Sequence, residues 1–218
     1  SQTLSDFFTA RHRAEGVEIL TGAEVRSVAA NGVTLADGGT VQADAVLVGV
    51  GAVACDALAV SAGLACDNGV VVNAEARTED PSIFAIGDMT RRPIPALGGV
   101  SWRLESVPNA LEQAKQAAAA ITGRPQPAPE VPWFWSDQYD LKLQIAGLPL
   151  NADRRIVRGD PDGSSFAVFH LVGDRIVCVE AVNAPPEFMA GKSLIAKRTP
   201  VDPDRLADAA GSMKMVDA

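Results

Sequence analysis

The chain has 218 residues, 47% of them hydrophobic, enough to build one large domain or two modest ones. Its net charge of -8 and pI near 4.8 argue against a general nucleic-acid binder, so any basic docking site must be local. Cys55, Cys66 and Cys178 form no C-x-x-C and no regular framework, which reads as free, mostly buried thiols in a reducing cytoplasm. No apolar run approaches the roughly 18 residues of a membrane span, and no signal peptide is evident, so a cytosolic protein is expected.

Ser5 to Glu15 has helical spacing, with Leu4, Phe7, Phe8 and Ala14 on one side, and stops at Gly16. Val17 to Leu20, Glu24 to Ala29 and Gly32 to Leu35 read as strands, the last two joined at Asn31-Gly32. Asp37-Gly38-Gly39 turns the chain into a partner strand, Thr40 to Ala43. Ala45 to Gly51 is almost continuously apolar and ends in glycines, the pattern of a central parallel strand. Asp56 to Gly63 predicts a short helix and Gly69 to Val72 a strand. No G-x-G-x-x-G, the phosphate-binding turn of a dinucleotide domain, lies between a strand and a helix.

Thr78 leads into Ile83 to Ile86, a short apolar strand buried on both faces, which stops abruptly on Gly87-Asp88. Asp88 then sets an acceptor beyond the strand's carboxyl end, as needed for a ribityl or ribose hydroxyl; an ordinary Gly-Asp turn reads the same way. Met89 to Gly99 is a proline- and glycine-rich loop whose Arg91 and Arg92 either steer an anionic partner or are simply solvated. Ser106 caps a helix that carries an early Pro108 and runs to Gly123.

The proline-rich stretch Gly123 to Pro132 is the clearest boundary. Beyond it, Asp140 to Ile145, Arg154 to Arg158, Phe166 to Leu171 and Arg175 to Val182 read as four strands. A helix from Pro186 to Lys197 offers Phe188, Leu194 and Ile195 to the sheet, which makes an α+β unit. His12 and His170 are isolated from each other and from any carboxylate or cysteine at ligand spacing, so no metal site is expected.

In order, Thr78 with Ile83 to Asp88, then Trp102 to Ala110, then Pro132 to Gln138 resemble the FAD-dependent NAD(P)H:ferredoxin reductases of the putidaredoxin and rubredoxin reductase type. These belong to the pyridine nucleotide-disulfide oxidoreductase superfamily. The resemblance runs from about Leu4 to the region of Asp208. It implies an α/β flavoprotein with NAD and FAD domains followed by an α+β C-terminal domain, and it implies that this chain is the C-terminal half. Residues 1–52 would end the NAD domain, 53–124 the FAD domain, 125–132 would link, and 133–218 would form the C-terminal domain. Both dinucleotide fingerprints would lie upstream of Ser1, so the chain alone is expected to be inactive.

The resemblance further implies FAD as cofactor, NADH as donor and a [2Fe-2S] ferredoxin serving an oxygenase as partner, with no nucleic acid or membrane involved. Gly51 would lie against the nicotinamide cofactor, or serve only its turn. Gly87 and Asp88 would anchor the ribityl chain, and Ser106 and Val107 would meet the pyrimidine side of the flavin. Glu105 would tune access or pair with a lysine outside this stretch, or stay a solvated carboxylate. Trp133 and Trp135, at i and i+2 in an extended segment, would share one side, covering the isoalloxazine or packing a domain interface. Lys115 and Lys214 are ferredoxin-docking candidates, or solvated lysines. A disulfide reductase would need a catalytic His and Glu in the C-terminal domain, and neither His sits in such a motif. An NADH oxidase, an apoptosis-inducing-factor-like flavoprotein and a cofactor-free interaction module are the competing readings.

Overall fold

The structure, a computed structural model, describes residues 1–217. They form two compact units, Gln2–Val53, and Ser1 together with the chain from Ala54 onward.

In the smaller unit, α1 (Gln2–Ala14) ends on Arg11, His12 and Arg13, cations that suit the negative end of the helix dipole, and Arg11 also pairs with Glu15 at 2.9 Å. Three short strands follow as an antiparallel meander, β1 (Val25–Ala29), β2 (Gly32–Leu35) and β3 (Thr40–Gln42), with Ala29 opposite Gly32 and Val33 opposite Val41. Two expected strands are absent. Residues 17–20 and 45–51 are irregular, and Leu47 and Val50 are 93% and 90% exposed. Their composition suits a sheet interior, but no described strand lies beside them to take their backbone groups or cover their side chains.

The larger unit opens with α2 (Ala57–Ser61) and a three-stranded sheet. In it β4 (Val70–Val71) runs parallel to β5 (Thr90–Ile94), which pairs antiparallel with β6 (Val100–Arg103). This corrects the loop expected over Met89 to Gly99. Pro93 is tolerated because β4 stops opposite Arg91, so β5 has a single neighbour where the proline lacks its N–H. The strand expected at Ile83 to Ile86 shrinks to one bridge between Arg77 and Phe84, and Ile86 is 42% exposed, again for want of flanking strands. Then α3 (Val107–Thr122) runs from its Ser106 cap, which accepts the Asn109 N–H at 3.3 Å, to Gly123 in the left-handed conformation.

Past the proline-rich connector stands a five-stranded antiparallel sheet in the order β7-β8-β11-β10-β9. Its strands are β7 (Trp133–Gln138), β8 (Leu141–Gly147), β9 (Arg154–Asp160), β10 (Ser165–Val172) and β11 (Arg175–Val182). The four expected strands are present, and the tryptophan-rich segment adds the fifth at the edge. Helix α4 (Pro185–Lys197) lies on one face, where Phe188 and Ile195 join Phe169, Leu171 and Val179 in the core. Gly191 lets the helix approach closely, because a Cβ there would meet Val179 Cγ1 at 2.8 Å. After α5 (Pro203–Ala207) the tail is pinned by buried Arg158, which donates to the carbonyls of Leu206, Asp208 and Gly211 and pairs with Glu187 at 3.3 Å. Every residue from Phe166 to Leu171 is buried, as expected for a strand covered on both faces.

Candidate flavin site

The Gly87-Asp88 turn is held by side chains from three elements, β5, β6 and α3. Gly87 has φ +82, a conformation that disfavours a side chain, while a Cβ there would touch nothing nearer than Ala110 Cβ at 4.0 Å. Backbone conformation rather than crowding within this chain therefore requires the glycine. Its N–H donates to Gln113 Oε1 at 2.8 Å, and its carbonyl accepts from the Thr90 N–H at 3.0 Å and the Thr90 hydroxyl at 2.8 Å. The Asp88 carbonyl accepts from Arg103 at 3.1 Å. The Asp88 carboxylate is exposed and has no hydrogen-bond partner among the described residues. It is a free acceptor on a fixed turn.

The first turn of α3 supplies the complementary group. Asn109 N–H is taken by Ser106, Ala110 N–H by the Ser106 carbonyl, and Pro108 has none. That leaves the Val107 N–H at the positive end of the helix dipole, on a residue 61% exposed. One carboxylate acceptor and one amide donor fit the polar groups of a flavin's ribityl chain and pyrimidine edge. Glu105 pairs with Arg103 within this chain, so it needs no lysine from elsewhere.

A cleft of about 190 Å³ lies beside this helix start, between Trp102, Glu105 and Ser106 on one side and Trp133 and Phe134 on the other. Trp133 and Trp135 do share a side, with ring centroids 5.4 Å apart and planes inclined by 32°. Trp133 is the anchored one, packed with its ring centroid 5.8 Å from that of Phe188 at an inclination of 57°, and under Lys192 Nζ at 5.0 Å. Trp135 is 43% exposed and does not line the cleft.

None of the remaining sequence-derived residues lines that cleft. Gly51, at φ +98, is exposed, and nothing lies within 4 Å of its would-be Cβ. Lys115 is exposed on α3, and Lys214 is exposed in the short 3₁₀ turn Met213–Met215. His170 is buried with Nε2 3.0 Å from Glu180 Oε2. Only Cys178 is buried, Cys55 being exposed and Cys66 half-buried, which corrects the expectation of mostly buried thiols. Sequence reading missed Thr90, Arg103 and Gln113. The available signal was the polar stripe Asn109, Glu112, Gln113 and Gln116, at the spacing of one helix face that turns out to be buried.

The chain thus joins a mixed α/β portion to a C-terminal antiparallel sheet backed by a helix. The chain belongs to the pyridine nucleotide-disulphide oxidoreductase family, which matches residues 1–114, and residues 133–216 match the reductase C-terminal domain. Among relatives, a probable ferredoxin reductase CtmF from Castellaniella defragrans is 50% identical, covering 95% of this chain and 52% of that protein. Putidaredoxin reductase CamA from Pseudomonas putida is 41% identical over 98% of this chain and 52% of its own. The reductase in the crystal structure of a covalent putidaredoxin reductase-putidaredoxin complex superposes with a TM-score of 0.93 at 41% identity, covering 98% of this chain and 53% of that one. The chain thus spans about half the length of the curated relatives it matches.

Proposed function

We propose that this chain is part of a flavin-dependent ferredoxin reductase, working in the cytoplasm, that passes electrons from NADH through FAD to a [2Fe-2S] ferredoxin serving an oxygenase. The observation that carries the reading is the pair of free groups on fixed supports, the Asp88 carboxylate and the Val107 N–H. Bound flavin would supply the step from a two-electron donor to a one-electron acceptor. Asp88, set by Gly87, would take a ribityl hydroxyl. Val107, with Ser106 capping the turn behind it, would favour negative charge at the pyrimidine side. Glu105, held by Arg103, would border that site, and Trp133 would form its aromatic wall, with Trp135 packed beside it outside the cleft.

On this reading residues 1–52 close an NAD domain in which Gly51 meets the nicotinamide cofactor, 53–124 close an FAD domain, 125–132 link, and 133–218 form the C-terminal domain. The exposed apolar residues support it. Leu47 and Val50 in one stretch, and Val107, Leu111 and Ile121 along α3, are surfaces that the rest of two dinucleotide domains would cover. The chain alone would then not turn over NADH.

Lys115 and Lys214 would dock the ferredoxin, ferredoxins being typically acidic. In the full-length protein, Lys115→Glu with Lys214→Glu is expected to slow NADH-driven ferredoxin reduction and spare ferricyanide reduction. Equal loss in both assays would remove the docking role. Failure of the unmodified protein to reduce any ferredoxin would remove the reductase reading.

A further inference from the structure

Gln113 has no exposed surface and lies 26 residues from the turn it holds. A backbone N–H needs an acceptor, so its 2.8 Å contact with Gly87 N orients the amide with the oxygen toward the turn. The same oxygen accepts from Asn109 Nδ2 at 3.3 Å. It also lies 2.9 Å from the Thr90 hydroxyl, whose single proton sits between it and the Gly87 carbonyl. Gly87 is therefore clamped through both of its backbone polar groups, and the next residue carries the free carboxylate. Gln113 Nε2 is buried with no partner among the described residues. A helix residue that served packing alone would be better aliphatic, since an unpaired buried donor is costly.

We infer that Gln113 is a positioning residue for the flavin, fixing the Gly87-Asp88 turn so that the Asp88 carboxylate is presented ready-made to the ribityl chain. Thr90 holds the turn from its other side. The inference rests on the flavin reading of Asp88. Ordering this turn before binding removes a cost that a loose loop would bring to every binding event.

The test is a double-mutant cycle on FAD affinity, measured by flavin fluorescence on titrating the apo form of the full-length protein. Gln113→Met is expected to weaken FAD about tenfold, the scale of one lost hydrogen bond. In an Asp88→Ala background the same change is expected to cost less than about twofold, because the group being positioned is gone. Gln113→Glu keeps a carbonyl oxygen for Gly87 and is expected within about threefold of the unmodified protein. Thr90→Val repeats the cycle from the other side of the turn should Gln113→Met not fold. Equal losses with and without Asp88, or no loss at all, would reduce Gln113 to a structural residue and overturn the inference alone. Unchanged affinity in Asp88→Ala itself would overturn the flavin reading beneath it.

Discussion

Arg92 and Glu112 meet at 2.5 Å with side chains 3% and 5% exposed, an ion pair that locks β5 against α3. Asn109 completes it by accepting from Arg92 Nε at 2.8 Å, and Glu112 also takes the Glu130 N–H at 3.0 Å. One buried carboxylate thus holds the helix, the small sheet and the connector together. Removing a single partner strands a buried charge, so Glu112→Ala is expected to destabilise by about 3–5 kcal/mol in urea unfolding. Arg92→Met with Glu112→Leu is expected to cost much less than the two single changes added, because neither charge is then left alone.

Arg158 organises the tail in the same manner, its guanidinium spread over three carbonyls and Glu187. Arg158→Met removes the charge while keeping an apolar stem. A loss of about 2–4 kcal/mol is expected, from carbonyls and a carboxylate left without a donor. Limited proteolysis is expected to cut first near Asp208 to Gly211, and cleavage elsewhere would contradict this role.

The thiols divide by burial. Burial and the neighbouring Glu180 carboxylate push the Cys178 thiol up, while Cys55 lies exposed. A thiol reagent is expected to modify Cys55 in the native protein and Cys178 only after unfolding. Mass mapping of the labelled peptides distinguishes the two.

The C-terminal sheet was legible because its strands pair with one another inside the chain, so alternation and turn residues had local consequences. Helix α3 was legible from its cap, its Pro108 and its Gly123. The apolar runs at 45–51 and 83–86 misled because composition reports a strand's fitness for a sheet, and neighbours decide whether the sheet forms. Pro93 hid β5, since reading it as a breaker ignores that an edge position needs no N–H there. Asp88 was singled out from the Gly-Asp turn that ends an apolar run, and Val107 through the family resemblance together with the helix start at Ser106. Gln113 was not, because its meaning depends on a contact made across 26 residues.

The most direct test is the visible spectrum of the full-length protein before and after NADH, beside that of this chain alone. A flavin band in the full-length protein that bleaches with NADH, and that Asp88→Ala weakens or abolishes, is the predicted result. A full-length protein without flavin, or one whose flavin is indifferent to Asp88, would contradict the account.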